Sequence, residues 1–371
     1  MSSSGLNMSR RIRRTPYTDR VEYHGVKGFS VVNHMLLPKA YETTVEDDYW
    51  HLRSQVQLWD VAVQRQIQIS GKDAFSLVQL MTPRDLSGLR VGECRYIPVI
   101  DENAGMLNDP VLLKLSEDKF WLSIADSDLL LWAKGLKVGM SLEAEVEEPD
   151  VSPLAIQGPL SFDLMSDLVG NEVRKLRHFE FGEFDILGRK QIIARSGYSK
   201  QGGFEIYLEG YSFGGGLWDL IWNAGQQYDI RPGCPNLIER IEGGLMSYGN
   251  EFTRSNNPLE CGFGPICHLG EKFEYVGKTA LTKIAKTGPT KMLCGVKFGG
   301  GKAPTCAKPF PVTSTEGLSI GSITSAIYSP RLKCNVGMSM IRDGHWKAAT
   351  KVVVHTPDGM IRDGAVANFP L

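Results

Sequence analysis

Along Phe204-Glu205-Ile206-Tyr207-Leu208, apolar and polar residues alternate with the period of a strand. This puts Phe204, Ile206 and Leu208 on one face and Glu205 and Tyr207 on the other. The preceding run, Arg195-Ser196-Gly197-Tyr198-Ser199-Lys200-Gln201-Gly202-Gly203, is glycine-rich and reads as a strand end and turn. Elsewhere the period changes. Residues 45–58 predict a helix running into Trp59-Asp60-Val61, with a strand at 66–70 after it. The spacing of Ala74, Leu77, Val78 and Met81 predicts a helix over 71–81, stopped at Pro83. Strands are predicted at 94–100, 111–115 and 120–124, with turns at Asn103-Ala104-Gly105 and Glu117-Asp118-Lys119, and a helix at 128–136. This mixture suits a ferredoxin-like α+β unit. Pro149-Asp150-Val151-Ser152-Pro153 marks a passage into another unit, where 154–159 reads as strand and turn, and 212–227 and the segment around Arg240 as helices. After a helix at 278–286, the turn cluster Thr287-Gly288-Pro289-Thr290 opens a small all-β module of short strands from Lys291 onward. Residues 1–8, small and polar, are expected to be frayed.

Composition narrows the class without naming a chemistry. A chain of 371 residues has material for two or three domains, and 42% apolar with 22% charged residues is ordinary for a globular protein. The net charge of −1 gives no overall field favouring nucleic acid or an anionic membrane, so neither partner is expected. The one basic cluster, Arg10-Arg11-Ile12-Arg13-Arg14, reads as an arm folding back on acidic neighbours. No apolar stretch follows it as in a secretory signal, and no run of about 18 apolar residues suggests a membrane span. The seven cysteines, Cys94, Cys234, Cys261, Cys267, Cys294, Cys306 and Cys334, are scattered and lack CxxC spacing. That argues against a zinc site or a disulfide framework and for a reducing, cytoplasmic setting. HExxH, P-loop and GxSxG motifs are absent, and no metal ligand set is expected. Gly299-Gly300-Gly301 reads as a flexible hairpin tip, and Gly214-Gly215-Gly216 as a loop before a helix.

One pair of side chains carries candidate chemistry. A carboxylate beside an aromatic on one sheet face, as at Glu205 and Tyr207, can accept two parallel N–H bonds while the ring covers a flat heterocycle. A pterin has such an edge, an amino group next to a ring N–H. The alternative is a hairpin whose outer face is solvated.

A second stretch, Pro235-Asn236-Leu237-Ile238-Glu239-Arg240-Ile241-Glu242-Gly243-Gly244-Leu245-Met246-Ser247-Tyr248-Gly249-Asn250, completes a pattern with the first. Together they resemble the signature of the tetrahydrofolate-dependent aminomethyltransferase (glycine-cleavage T-protein) superfamily, over nearly the whole chain. Five blocks resemble its dimethylsulfoniopropionate (DMSP) demethylase branch: Ser9-Arg10-Arg11-Ile12-Arg13-Arg14-Thr15-Pro16-Tyr17-Thr18, Asn33-His34-Met35-Leu36-Leu37-Pro38, Gly105-Met106-Leu107-Asn108-Asp109-Pro110, Ser123-Ile124-Ala125-Asp126-Ser127-Asp128 and the long Ser-Gly-Tyr-Ser-Lys-Gln-Gly-Gly run. The resemblance implies an α+β fold of three domains in a clover-leaf around a central folate channel. These would be a discontinuous folate-binding domain (1–50 and 140–286), a ferredoxin-like domain (51–139) and a C-terminal all-β barrel or jelly-roll domain (287–371). It implies tetrahydrofolate as cofactor, Glu205 at the pterin edge, Tyr96, Tyr198 and Tyr207 along the folate site, and Arg240 holding a carboxylate or carbonyl. Glu242 either orients Arg240 or acts directly. Asn33, His34, Met35 and Ser123 are substrate candidates by position, with packing as the alternative for His34 and Met35. By analogy a homodimer is expected.

Two departures from the T-protein pattern bear on the reaction. Where T-proteins carry paired aspartates, this chain has Asn108-Asp109, and Pro265 stands in place of a family tryptophan. Both suit simple methyl transfer from a sulfonium to folate N5, with Asn108 and Asp109 as the catalytic candidates. A carboxylate touching the sulfonium would stabilise ground and transition states alike, and in-line placement alone supplies roughly 7–11 kcal/mol. Val32 replaces a tyrosine that often precedes the Asn-His-Met-Leu-Leu-Pro segment in the demethylases. The competing expectations are the aminomethyltransferase of glycine cleavage, a folate-dependent O-demethylase of aryl methyl ethers, and a folate-binding protein without turnover.

Overall fold

The strand Gly203–Glu209 lies inside a six-stranded sheet and is buried along nearly its whole length. The computed structural model describes residues 9–371, so the fraying expected for residues 1–8 lies outside the described residues. The strand order is Phe181–Ile186, Arg189–Ala194, Gly203–Glu209, Val151–Gln157, Gln57–Asp60, Arg231–Gly233, antiparallel except for the last pair. On one face Leu154, Ile156, Ile193, Phe204, Ile206 and Leu208 pack against Leu164 and Met165 of the helix Ser161–Val169 and Leu217, Trp218 and Ile221 of the helix Gly214–Gly225. The predicted partition of Phe204, Ile206 and Leu208 from Tyr207 holds. The second face is not solvated: Tyr207, Ile192, Ala194 and Val151 pack against Cys94, Leu113 and Trp121 of a second sheet.

That second sheet has the order Glu145–Glu147, Gln66–Ser70, Lys119–Ser123, Val111–Ser116, Cys94–Tyr96, all antiparallel. With the helices Ala74–Leu80 and Leu129–Gly139 in the connections, its first four strands have the 4-1-3-2 order of a ferredoxin-like unit, and Cys94–Tyr96 adds an edge. Both sheets belong to one compact unit, formed by the chain up to Phe75 with Leu89–Tyr96 and Pro110–Asn236. The other unit comprises Ser76–Gly88, Ile97–Asp109 and Leu237–Leu371. It contains the short hairpin Val99–Ile100/Met106–Asn108 and a closed barrel in the order Lys291–Phe298, Cys334–Arg342, Ser319–Ser329, Phe310–Ser314, Lys351–His355, Ile361–Ala367. The barrel interior is apolar, with Val296, Phe298, Phe310, Val312, Ile323 and Val352 buried.

Several local expectations are corrected by long-range pairing. The helix expected over 45–58 is Val45–Ser54, started by a Thr44/Asp47 capping box. Gln57 and Leu58 leave it because they pair with Gln157 and Ile156, so residues 57–60 join the six-stranded sheet and the expected boundary at 50/51 falls inside a helix. The strand expected over 94–100 breaks at Ile97-Pro98, where proline removes a ladder donor. Gly214 to Gly216 form the first turn of a helix rather than a loop, and a Cβ on Gly214 would meet Pro16 Cβ at 2.4 Å. Gly299 to Gly301 are no flexible tip: the Gly299 and Gly301 carbonyls accept from Asn335 Nδ2 at 3.1 and 3.0 Å, and Gly301 from Arg362 Nη1 at 2.6 Å. The basic arm behaves as expected, with Arg13 bonded to Glu148 and Arg14 to Asp19 and Glu22.

Asp60 anchors that arm to the six-stranded sheet. It is buried, accepting from Thr15 Oγ1 at 2.5 Å and Ala62 N at 3.2 Å, and burial pushes its carboxyl up to about 7. The folded state therefore holds the Asp60 proton where the unfolded chain has released it. Asp60 costs no stability below about pH 4 and a growing amount as pH rises towards 7. Asp60→Asn should gain stability over the parent by about 2–4 kcal/mol more at pH 8 than at pH 4, measured by urea unfolding at each pH. A gain that shrinks with pH would mean the buried carboxyl is ionised.

Candidate active site

Glu205 occupies a position where a carboxylate is costly. Its neighbours across the sheet are Ala155 and Ala194, its side chain is buried, and its one hydrogen bond comes from Ser196 Oγ to Oε2. No Lys, Arg or His among the described residues pairs with it. Burial raises its pKa, and the Ser196 hydroxyl opposes the shift. Among the described residues, Oε1 makes no hydrogen bond. Such an arrangement is incomplete by itself, because a buried carboxylate needs two or more donors to stay charged.

The turn that delivers Ser196 is built around Gln157. Its Nε2 donates to the Ser196 carbonyl at 3.2 Å, and its Oε1 accepts from Ser199 Oγ at 2.8 Å. Gly197 and Gly203, at φ +150° and +151°, leave room for that amide; a Cβ there would lie 2.1 and 2.5 Å from Gln157 Nε2. The glycine-rich run is thus required by a buried side chain as well as by the turn. Tyr198, half-buried, packs on Leu52, Trp59, Val61 and Ala155. Because Ala155 is flanked in register by Trp59 and Glu205, the Tyr198 ring lies on the face that carries Glu205.

Tyr207 differs from the expectation that its ring covers a ligand. It is fully buried, with its ring centroid 6.1 Å from that of Trp121. Its hydroxyl lies towards Ser123 and Ser196 but makes no hydrogen bond of normal geometry, and burial raises its pKa far above the usual phenol value. Ser123 stands opposite Gln66 in the five-stranded sheet, accepts from Gln66 Nε2 at 3.0 Å and donates to Gln64 Oε1 at 3.2 Å. Gln66 Oε1 is buried without a partner. Glu205, Ser196, Tyr207, Ser123 and Gln66, with the half-buried Gln64, bring a run of polar groups to the sheet-on-sheet contact. Ser196, Gln157, Gln64 and Gln66 escaped the sequence reading. The period-two run Gln64, Gln66, Gln68 was the available signal.

Asn33 and His34 form a two-residue hairpin turn with φ of 49° and 62° between the paired Val32 and Met35. Asn33 Nδ2 donates to the carbonyls of Val63 and Ala125 at 2.9 and 3.1 Å, and its backbone N donates to Asp126 Oδ1 at 2.7 Å. The turn is thereby fixed to the chain ends that carry Gln64 and Ser123. His34 is exposed, Met35 is buried, and Tyr96 is half-buried on the edge strand.

In the second unit, Asp101 shapes the hairpin that carries Asn108 and Asp109. Its Oδ1 accepts from Gly105 N at 2.8 Å and Asn103 N at 3.0 Å, and its Oδ2 from Arg254. Asn108 Oδ1 accepts from Asp109 N at 3.0 Å, and both side chains are buried. Arg240 is committed to the protein itself: Nη1 donates to Glu251 Oε2 and Nη2 to Ser325 Oγ, each at 2.6 Å, all three side chains buried. This ion pair joins the helix Leu237–Gly243 to the barrel and engages two of the donors expected to hold a folate group. Glu242 accepts from Ser329 Oγ at 2.5 Å and Arg331 Nε at 2.8 Å.

The chain belongs to the glycine cleavage T-protein family: residues 17–271 match the GCVT N-terminal domain and residues 291–370 the glycine cleavage T-protein C-terminal barrel domain. It is 46% identical over 360 residues to the dimethylsulfoniopropionate demethylase DmdA of Ruegeria pomeroyi, covering 96% of this chain and 98% of that one. An aminomethyltransferase of Clostridium botulinum is 29% identical over 308 residues, 81% of this chain and 82% of the relative. The crystal structure of glycine cleavage system aminomethyltransferase T from Bartonella henselae shares the fold, with a TM-score of 0.84 at 23% identity over 97% of this chain and 98% of that one.

The Arg240 pair yields a stability prediction. Arg240→Met leaves Glu251 buried without its cation and should cost about 3–5 kcal/mol. Adding Glu251→Gln should recover part of the loss. A single variant as stable as the parent, in urea unfolding, would return Arg240 to the list of ligand-binding residues.

Proposed function

We propose that this protein is a tetrahydrofolate-dependent methyltransferase that demethylates DMSP, giving methylmercaptopropionate and 5-methyltetrahydrofolate. The observation that carries the pterin site is Glu205, a buried carboxylate with one oxygen held by Ser196 and, among the described residues, no donor on the other and no cation. The adjacent amino and ring N–H groups of a pterin supply donors of the missing kind. The half-buried Tyr198 ring on the same face offers a flat surface, and Tyr96 is assigned to the same ligand by the family pattern. Tyr207 supports Glu205 from behind. The donor assignment follows the 46% identical demethylase relative.

Tetrahydrofolate, when bound, would supply the N5 lone pair that takes the methyl group while the C–S bond breaks with its electron pair on sulfur, and the N5 proton is then released to solvent. The protein has to hold, orient and dehydrate. Glu205 fixes the pterin edge. Asn33 and Ser123 are assigned to the substrate pocket, with His34 at its exposed rim and Met35 packing beneath the turn. Asn33, Ser123 and Met35 bring a neutral amide, hydroxyl and thioether, which accept a cation without the ground-state trap a carboxylate would set. Asn108 and Asp109 are assigned as the catalytic pair, with Asn108 removing the first acid of the aminomethyltransferase pattern. A cytoplasmic location completes the proposal, in keeping with seven unpaired thiols.

Purified protein mixed with tetrahydrofolate and DMSP should yield one equivalent of 5-methyltetrahydrofolate by mass in a single turnover, without a lipoyl protein. Folate bound but unmethylated would refute DMSP as donor while leaving the pterin site. Glu205→Ala should weaken folate binding by roughly a hundredfold or more, the worth of two charge-assisted hydrogen bonds. Unchanged affinity would remove Glu205 from the site.

A further inference from the structure

We infer that Ser196 is a positioning residue for the folate site: by donating its hydroxyl proton to Glu205 Oε2 it presents Oε1 to the pterin, and its hydroxyl sets the pH range over which reduced folate binds. The inference rests on the assignment of Glu205 to the pterin edge. Ser196 and Glu205 are both buried, so water does not substitute for the hydroxyl. The serine itself is held from behind, since its carbonyl accepts from Gln157 Nε2 at 3.2 Å. Two residues beyond Ala194, the register partner of Glu205, it lies on the carboxylate's face by strand periodicity.

The other groups around Glu205 cannot take over this task. Tyr207 on its own strand and Cys94 on the edge strand of the second sheet are the titratable neighbours, and burial keeps both protonated at neutral pH. Ser123 and Trp121 of the facing strand and Ala155 and Ala194 beside it carry no charge. The adjacent cation, Arg195, is turned away: Nη1 donates to the Leu176 carbonyl at 3.0 Å, and the guanidinium lies 4.9 Å from the Phe162 ring centroid. Among the described residues, Ser196 is therefore the single side chain donating to Glu205. A pterin edge donates to the ionised carboxylate, and a protonated carboxyl presents an O–H against those donors. Loss of the serine hydroxyl moves the protonation of Glu205 to higher pH and weakens folate binding most on the acid side.

The test is calorimetric titration of the full chain with 5-methyltetrahydrofolate from pH 6 to pH 9, for the parent, Ser196→Ala, Ser196→Thr and Glu205→Gln. Relative to the parent, Ser196→Ala should lose severalfold more affinity at pH 6 than at pH 9, and the deficit should close steadily as the pH rises. Ser196→Thr keeps the hydroxyl and should follow the parent. Glu205→Gln should bind weakly at every pH. If Ser196→Ala is unchanged, or weakened equally at all pH, the positioning role is wrong, and a threonine variant no better than alanine overturns it too. If Glu205→Gln binds like the parent, the pterin assignment itself has failed.

Discussion

A strand buried on both faces leaves no solvent for a charge, and the strand Gly203–Glu209 carries one. Everything around Glu205 answers that constraint. Its helix-facing neighbours fill an apolar core that needs no polar partner. Its own face is closed by a second sheet, which removes water and raises the cost of ionisation. One serine hydroxyl offsets part of that cost. The remainder is a deficit of donors that a ligand with paired N–H groups can meet, so affinity and burial have the same origin.

The precision of the arrangement depends on residues that never face a ligand. Gln157 spans the turn and fixes both Ser196 and Ser199, and it can do so because Gly197 and Gly203 have no side chains. Asp101 does the equivalent for the Asn108 hairpin by gathering two backbone donors and Arg254. In both places a buried polar side chain substitutes for regular secondary structure. A loop held in this way is as specific as a strand, because each lost hydrogen bond leaves a buried partner unsatisfied.

Much of this was legible in the sequence, and the parts that were not share a cause. The alternation through Phe204 to Leu208, the strand and helix mixture of the ferredoxin-like unit and the all-β character from Lys291 follow from local periodicity and turn residues, which act over a few positions, whereas the closed barrel was implied by the family resemblance and the edge strand Glu145–Glu147 was not foreseen. The helix expected to run to Leu58 stops at Ser54 because Gln57 and Leu58 pair with a strand about a hundred residues later, and no local signal encodes that. Burial of the Glu205 face is of the same kind: alternation distinguishes two faces without saying what covers each. Arg240 illustrates the limit of a motif. Its position matched a ligand-binding arginine, and the structure adds what the motif did not say: Glu251 and Ser325, 11 and 85 residues away, each accept one of its hydrogen bonds.

Apart from Glu205 and Asp126, which accept from Ser196 Oγ and Asn33 N, the groups along this face are neutral, and neutral groups suit a cationic methyl donor better than an anionic one. The polar string from Ser196 through Tyr207 and Ser123 to Gln66 and Gln64 contains hydroxyls and amides with a surplus of acceptor oxygens, and Asn33 is tied to the same chain ends. A sulfonium has no N–H or O–H to donate. Its methyl hydrogens carry the positive charge, and neutral oxygens attract them weakly and over a broad range of angles. A carboxylate in their place would bind the cation tightly and keep that attraction from being lost as charge leaves sulfur, which slows transfer. The same neutral lining would serve the charge-separating iminium chemistry of aminomethyl transfer poorly, because a developing cation there gains from an adjacent acid. Asn108, an amide where the relatives' pattern has an aspartate, changes the chain in that direction.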